Sequence, residues 1–510
     1  MSVRVSLFSL LAIVGGLGPV NSRSAAALPQ KVSEFEFHRD HILGTSLDLR
    51  VVAPDEVTAE GAELTALNEI ERLRLVFSTY DAKSEISKLN GTREPTRVSA
   101  DLAEVIETTE VWQRKSGGAF NGQVGELVRM WKDGERANRV PNTGTLDHIV
   151  ADLKKPGWTL DANTNTVTRL NDQPLNLNAI AKGFINRKVL AAVRKEHPTV
   201  SALLINLGGD VLAWGSPPGS TSGWVVGVQD PSNHFDNAPP IAGLQLKNQA
   251  VATSGGYQRF YTIDGKRYSH IFDPRTGRPA EGVASATVVA NDSTTANALA
   301  TTLCVLKPED GLKLIASVEG AACLIITPDG KKFRSFGMGQ FEVSPARAFT
   351  PQEKKGEPKA AWPAGYQVTV AVELPKVNAK QYRKPYTAIW IEDDKGKAVR
   401  TLAVWGNAPK YLKDLNDWWR IGKGDADLVK AVTRATRGPG KYDLAWDGKD
   451  DKGYALPQGT YTVRVEVHRE FGEHLRQSGK IECKDKPATT KFEKNAETAE
   501  TVVEFKEKKK

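Results

Sequence analysis

The sequence predicts an α+β body followed by an immunoglobulin-like β-sandwich, and three observations carry that expectation. From about residue 35 to residue 342, strand-like runs alternate with helical ones. Residues 343–363, VSPARAFTPQEKKGEPKAAWP, are rich in Pro, Lys and Ala, lack periodicity and read as a linker. Over residues 364–485 the texture changes to short alternating segments separated by turn residues.

The elements follow in chain order. MSVR and a run of about 14 apolar residues, ending in small residues at Ala25 to Ala27, have the three-part form of a cleaved secretory signal over residues 1–27. Such a run is too short for a comfortable membrane span, and no other run approaches ~18 apolar residues. An exported, periplasmic location without a stable span is therefore expected. In the body, TSLDLRVVA, SALLINLGG, WVVGVQD, ATVVAN and ACLIIT read as strands. AELTALNEIERLRLVF, SADLAEVIETTEVWQRKSGG and NAIAKGFINRKVLAAVRKE place apolar residues three and four apart and read as helices. Beyond the linker, YQVTVAVEL, YTAIWIEDD, RTLAVWG, YDLAWDG and GTYTVRVEV alternate as strands, and residues 486–510 read as a charged tail ending in FKEKKK.

Composition narrows the function classes. A net charge of +8 arises from 69 basic against 61 acidic residues, interspersed along the chain, which describes a solvated surface and not a nucleic-acid interface. Cys304, Cys323 and Cys483 match no metal-knuckle spacing, and their apolar surroundings mark small core residues, a Cys304–Cys323 disulfide being the lesser alternative.

Chemistry concentrates in turn-centred motifs. GGAFNGQVG holds four glycines in nine residues, NLGGDV is a Gly-Gly turn after a buried strand, and LNLNAIAKGF runs into a helix start. Backbone amides at such a junction suit phosphate, with Lys182 adding a positive charge. Asn297 and Thr301 lie four apart in TTANALATTLCVL and offer two oxygens on one helix face, a hard-cation pattern. YSHIFDPRTGRPA, residues 268–280, carries His270 between hydrophobic runs, and its prolines argue against helix and strand core alike. Taken singly, each has an ordinary reading as a turn or a solvated side chain.

In order, FSTYDAKSEISKLN, GAFNGQVGELVRMW, NAIAKGF, NLGGDVLAWG, ATSGGY, YSHIFDPRTGRP and ANALATTL resemble the FAD:protein FMN transferase (ApbE-type) family, from Leu43 to about residue 305. The resemblance implies a two-lobed α+β fold that binds FAD in a cleft. With Mg²⁺ it would transfer the FMN half to a Ser or Thr hydroxyl of an exported protein and release AMP. Carried over residue by residue, Leu43 and Tyr80 would border the adenine or flavin, and Ala119, Phe120 and Asn121 would line the flavin site. Asn176, Lys182 and the backbone of Ile271 would contact FAD. The Ala179 carbonyl with the Asn297 and Thr301 side chains would complete the metal shell, and His270 would sit near the reacting phosphate as a candidate base or as the group that orients the acceptor hydroxyl. The family usually has Met where Leu43 stands, and Asp where Asn121, Asn176 and Asn297 stand. The last change removes a full charge from the metal side. The competing reading is a flavin-binding or flavin-carrying module whose transfer chemistry has decayed. The C-terminal part resembles an uncharacterised periplasmic domain found with such transferases. Within it, KAVTRAT is similar to the acceptor pattern D-x-x-(S/T)-G-A-T, which makes Thr436 a candidate acceptor in the chain itself.

Overall fold

The computed structural model describes residues 32–343 except 258, and 361–508 except 379–381, 407–408, 426–427 and 430–431. The expected signal segment and nearly all of the expected linker lie outside the described residues. The centre of the body is an eight-stranded antiparallel sheet in the order Ser33–Ile42, Thr45–Ala53, Ala202–Leu207, Asp210–Trp214, Gln249–Gly255, Ser285–Ala290, Ala322–Ile326 and Lys332–Arg334. Ser285–Ala290 and Ala322–Ile326 are buried at every position, because the sheet is covered on both faces. One face carries the helices Glu56–Phe77, Asn178–Glu196 and Ser293–Val305, through a core that includes Leu73, Phe184 and Leu299. The other packs against a three-stranded sheet, Trp224–Val228, Ala242–Leu246 and Glu342–Val343, around Trp224, Leu244 and Leu324.

A second, smaller core forms the other lobe. Leu127 and Trp131 of helix Gly125–Arg136 and Ile149 of helix Thr143–Leu153 meet Ile263 and Phe272 beneath the hairpin Phe260–Ile263/Lys266–Ser269. The Trp131 indole donates to the Gly277 carbonyl at 3.0 Å, tying the DPRTG turn to this lobe.

The C-terminal domain is almost entirely β. A four-stranded sheet, in the order Gly440–Trp446, Tyr366–Leu374, Thr501–Glu507, Ala488–Phe492, shares a core with a five-stranded one built on Ala398–Trp405, Tyr386–Glu392, Gly459–His468 and His474–Cys483. Within the expected charged tail 486–510, the described residues 486–508 are therefore not a tail but carry two strands of this sheet. Thr501–Glu507 pairs on both edges, with Tyr366–Leu374 and with Ala488–Phe492. Its alternation explains the misreading: Thr501, Val503 and Phe505 point inward, while Glu504 and Lys506 carry the charge on the other face. All three cysteines are free and buried, so Cys304 and Cys323 are not bridged.

The domains meet where the Trp224–Val228/Ala242–Leu246 connection reaches the edge strand Gly440–Trp446. The Asp236 N–H donates to the Asp443 carbonyl at 2.8 Å, and the Asn237 side chain bonds both the N–H and the carbonyl of Ala445. Asp236 also accepts from the Trp405 indole at 2.9 Å and from Arg437 at 2.7 Å. Phe505, fully buried, provides a check on the corrected domain boundary. Phe505→Ala should cost about 3–5 kcal/mol of C-terminal domain stability, measured by urea unfolding; an effect under about 1 kcal/mol would contradict the placement of this strand.

Candidate functional site

The site begins where helix Asn178–Glu196 crosses helix Ser293–Val305. Gly183 makes the crossing possible: a Cβ there would lie 2.1 Å from the Ser293 carbonyl oxygen. The Ser293 hydroxyl donates to the Gly183 carbonyl at 2.6 Å, and the Gly183 N–H donates to Asn297 Oδ1 at 3.2 Å. Gly183 lies one turn after Ala179 in the same helix, so Asn297 contacts the turn to which the Ala179 carbonyl belongs. One turn further along, the Thr301 and Ser254 hydroxyls lie 3.3 Å apart. Oxygen donors of this kind suit Mg²⁺. Among the described residues no cluster of three or more His, Cys, Asp or Glu could hold a metal, so a cation here would need oxygens from its ligand to fill its shell.

Asp210 lies beside these groups. Its carboxylate forms an ion pair with the Lys182 ammonium and accepts from Asn297 Nδ2 at 3.4 Å. Asp210 is 3% exposed and opens strand Asp210–Trp214, whose first carbonyl accepts from Asn186. Burial pushes its carboxyl above the usual range, and the neighbouring Lys182 charge opposes that. Lys182 also donates to the Gly208 carbonyl at 3.4 Å, so the Gly-Gly turn, Lys182 and Asn297 form one cluster. Sequence reading passed over Asp210, because one Asp after a Gly-Gly turn reads as turn chemistry. Its position three residues before the Ala213–Trp214 end of a buried strand was the available signal.

The 268–280 segment closes on itself. Phe272–Asp273 pairs with Arg278–Pro279 over two residues only, so no helix or strand core runs through the two prolines. Arg275 grips Asp273 through two N–H donors at 2.8 Å, so this pair shapes the turn. The loop holds His270 half-buried, its Nδ1 2.9 Å from the Arg259 carbonyl. Because a carbonyl only accepts, Nδ1 carries the proton and the neutral ring offers Nε2 as a base. Burial holds the His270 pKa below its ordinary value, and the charges of Arg259 and Lys182 push the same way.

The remaining expected residues divide by setting. Leu43, in the left-handed region with φ 51°, packs against the main core, and the adjoining Gly44 carbonyl accepts from Arg259 at 3.4 Å. This turn therefore belongs with the His270 cluster. Tyr80 is 83% exposed, with its ring open to solvent. Ala119 and Phe120 are buried, and Gly118 between them and the helix end approaches the Arg275 side chain. Asn121 is buried too, with its amide donating to the Leu153 carbonyl and accepting from the Gln123 N–H. Asn176 accepts from the Asn178 N–H at the helix start. The Ile271 N–H donates to Ser269 Oγ and its carbonyl accepts from Ala280.

A cavity of about 610 Å³ opens beside His270, lined by Asn233, His234, Gly256, Tyr257, Phe260 and Arg267 among others. Phe260 pairs with Ser269, the residue preceding His270, which places the cavity wall next to the histidine. The Arg267 guanidinium stacks 4.4 Å over the Phe260 ring.

The profile of the ApbE family matches residues 43–325, more than half of the chain. The chain belongs to the ApbE family. That places it among the transferases. A Treponema pallidum FAD:protein FMN transferase is 31% identical over 348 residues, covering 64% of this chain and 92% of the relative. Its Escherichia coli K12 counterpart is 29% identical over 275 residues, 52% and 77% of the two chains. Among solved structures, the ApbE protein of Thermotoga maritima superposes with a TM-score of 0.56 at 31% identity, covering 61% of this chain and all of that one. The flavin transferase ApbE of Vibrio cholerae gives 0.52 at 26% identity, over the same shares. Residues 367–500 match DUF2271, described as a predicted periplasmic protein, and no helix among the described residues is long and apolar enough to cross a membrane.

Two outcomes follow from the ApbE site geometry. Gly183→Ala should separate the two helices and lower Tm by several degrees, read by calorimetry, since its Cβ meets backbone. In an NMR titration His270 should titrate below its ordinary 6.5. A midpoint at or above 6.5 would contradict the buried, cation-flanked setting.

Proposed function

We propose that the protein transfers the FMN half of FAD to a Ser or Thr hydroxyl of another exported protein and releases AMP. The observation that carries this reading is the grouping of three features on neighbouring elements. These are a neutral His270 with Nε2 available, the Lys182 ammonium, and the oxygens of Asn297 and Thr301. They are joined by Asp210, which pairs with Lys182 and accepts from Asn297, and by the Lys182 charge that reaches His270. Phosphoryl transfer of this kind calls for positioning, charge neutralisation and removal of the hydroxyl proton. The acceptor oxygen attacks the phosphorus on the flavin side of the pyrophosphate. His270 Nε2 takes the proton, the bridging P–O bond breaks, and the electron pair leaves with AMP.

Lys182 faces the phosphates, the Leu43 turn and the exposed Tyr80 ring border the FAD rings, and Asn176 and the Ile271 backbone flank them. Ala119, Phe120 and Asn121 shape the floor of that slot. The Ala179 carbonyl, Asn297 and Thr301 would hold Mg²⁺, which when bound would neutralise pyrophosphate charge. The cavity beside His270 receives the acceptor segment. The DUF2271 match and the signal-like leader support export.

The test combines the full chain with FAD, MgCl₂ and a peptide bearing D-x-x-T-G-A-T, read by intact mass. An FMN adduct on the peptide is expected, and His270→Ala should slow its formation by roughly 10²–10⁴-fold. Arg267→Glu should raise the KM for the peptide several-fold while leaving FAD affinity unchanged. FAD binding without adduct formation on any acceptor would favour a flavin-carrying module, the reading that the Asn residues at 121, 176 and 297 support. Thr436 adjoins Arg437, which holds Asp236 on the segment that continues from the cavity wall. An adduct on the chain itself, lost in Thr436→Ala, would identify that residue as the acceptor.

A further inference from the structure

We propose that Asp210 is a positioning residue for the phosphate end of the site, and that Asn297 is matched to it. The inference rests on the transferase reading above. Asp210 is the carboxylate within reach of both Lys182 and Asn297, and it is almost completely buried. A carboxylate offers acceptors only, so it fixes which way the Asn297 amide faces: Nδ2 points to Asp210 and Oδ1 points to the Gly183 N–H. The same carboxylate anchors the Lys182 ammonium. One buried acid thus orients both the oxygen donor and the cation.

This arrangement explains why residue 297 can be an amide. A carboxylate at 297 would lie about as far from Asp210 as the amide nitrogen does, at 3.4 Å, with one ammonium between two negative charges. Like charges at that range in a dry setting repel strongly. The negative charge that the metal side needs is present, one residue over in space, on Asp210. Its two partners come from different helices and the acid itself from a strand, so neighbouring sequence could not reveal the exchange.

The experiment measures FAD affinity by flavin fluorescence, with and without MgCl₂, and Tm of the ligand-free protein. The chains are wild type, Asp210→Asn, Asn297→Asp and the double variant D210N/N297D. Wild type should bind FAD more tightly with Mg²⁺ present. Asp210→Asn should lose about tenfold or more of that Mg²⁺ effect, and the double variant should regain most of it. Asn297→Asp alone should lower Tm without Mg²⁺ and recover it when Mg²⁺ and FAD are added. An Asp210→Asn chain that fails to fold, beside a double variant that folds and shows the Mg²⁺ effect, supports the pairing equally. An unchanged Mg²⁺ effect in Asp210→Asn, or a double variant that does not recover it, overturns the proposal. Failure of wild type to bind FAD with Mg²⁺ would overturn the transferase reading instead, which keeps the two failures distinct.

Discussion

The contact between Gly183 and the start of helix Ser293–Val305 decides how Lys182, Asn297 and Asp210 are grouped. Two helices approach closely enough for a side-chain hydroxyl and a backbone N–H to bond across the gap only because one position lacks a Cβ. Once they are that close, Asn297 is carried beneath the first turns of the other helix, and Lys182, one residue before the glycine, projects beside it. The eight-stranded sheet supplies the third component, because strand Asp210–Trp214 starts directly under the crossing. Helix packing, a sheet edge and a Gly-Gly turn therefore meet at one point, and none of them could build the cluster alone.

That point carries an electrostatic tension. A carboxylate that is 3% exposed is unfavourable unless it is paired and hydrogen-bonded. Asp210 has both kinds of partner, yet the pairing is with an ammonium at the rim of a cleft, where an anionic ligand would compete for the same charge. Burial and the charges of Arg259 and of the same Lys182 together hold the His270 pKa below its ordinary value. The same Lys182 charge thus pairs with the buried acid and disfavours protonation of His270.

Much of this was legible in the sequence. Local elements were, because their periodicities are strong: helix 178–196 was read to the residue, and the order of motifs around His270, Asn297 and Thr301 identified the family. Asp210 was not legible, since its partners are 28 and 87 positions away and nothing local marks a buried acid. The inward turn of Asn121 was equally hidden, because its bond to Leu153 depends on how the second lobe folds back. The last strand failed for a different reason. TVVEFKE has a clear period of two, but Glu and Lys on its outer face gave it the composition of a tail. Composition averages over both faces of a strand; alternation separates them.

The placement of the C-terminal domain follows from edge-strand physics. Gly440–Trp446 ends its sheet, and an open edge of that kind invites pairing with other chains. Here Asp236 and Asn237 occupy it, Asn237 by bonding both main-chain groups of Ala445 with one side chain. The same connection, a few residues earlier, supplies Asn233 and His234 to the cavity beside His270. Covering the edge and shaping the cavity are therefore one constraint on one short segment. A substitution that loosened Asp236 from Trp405 and Arg437 would act on both, at a distance from every residue assigned to FAD. The β-domain is in this sense tied to the cavity wall, although His270, Lys182 and Asn297 all belong to the other domain.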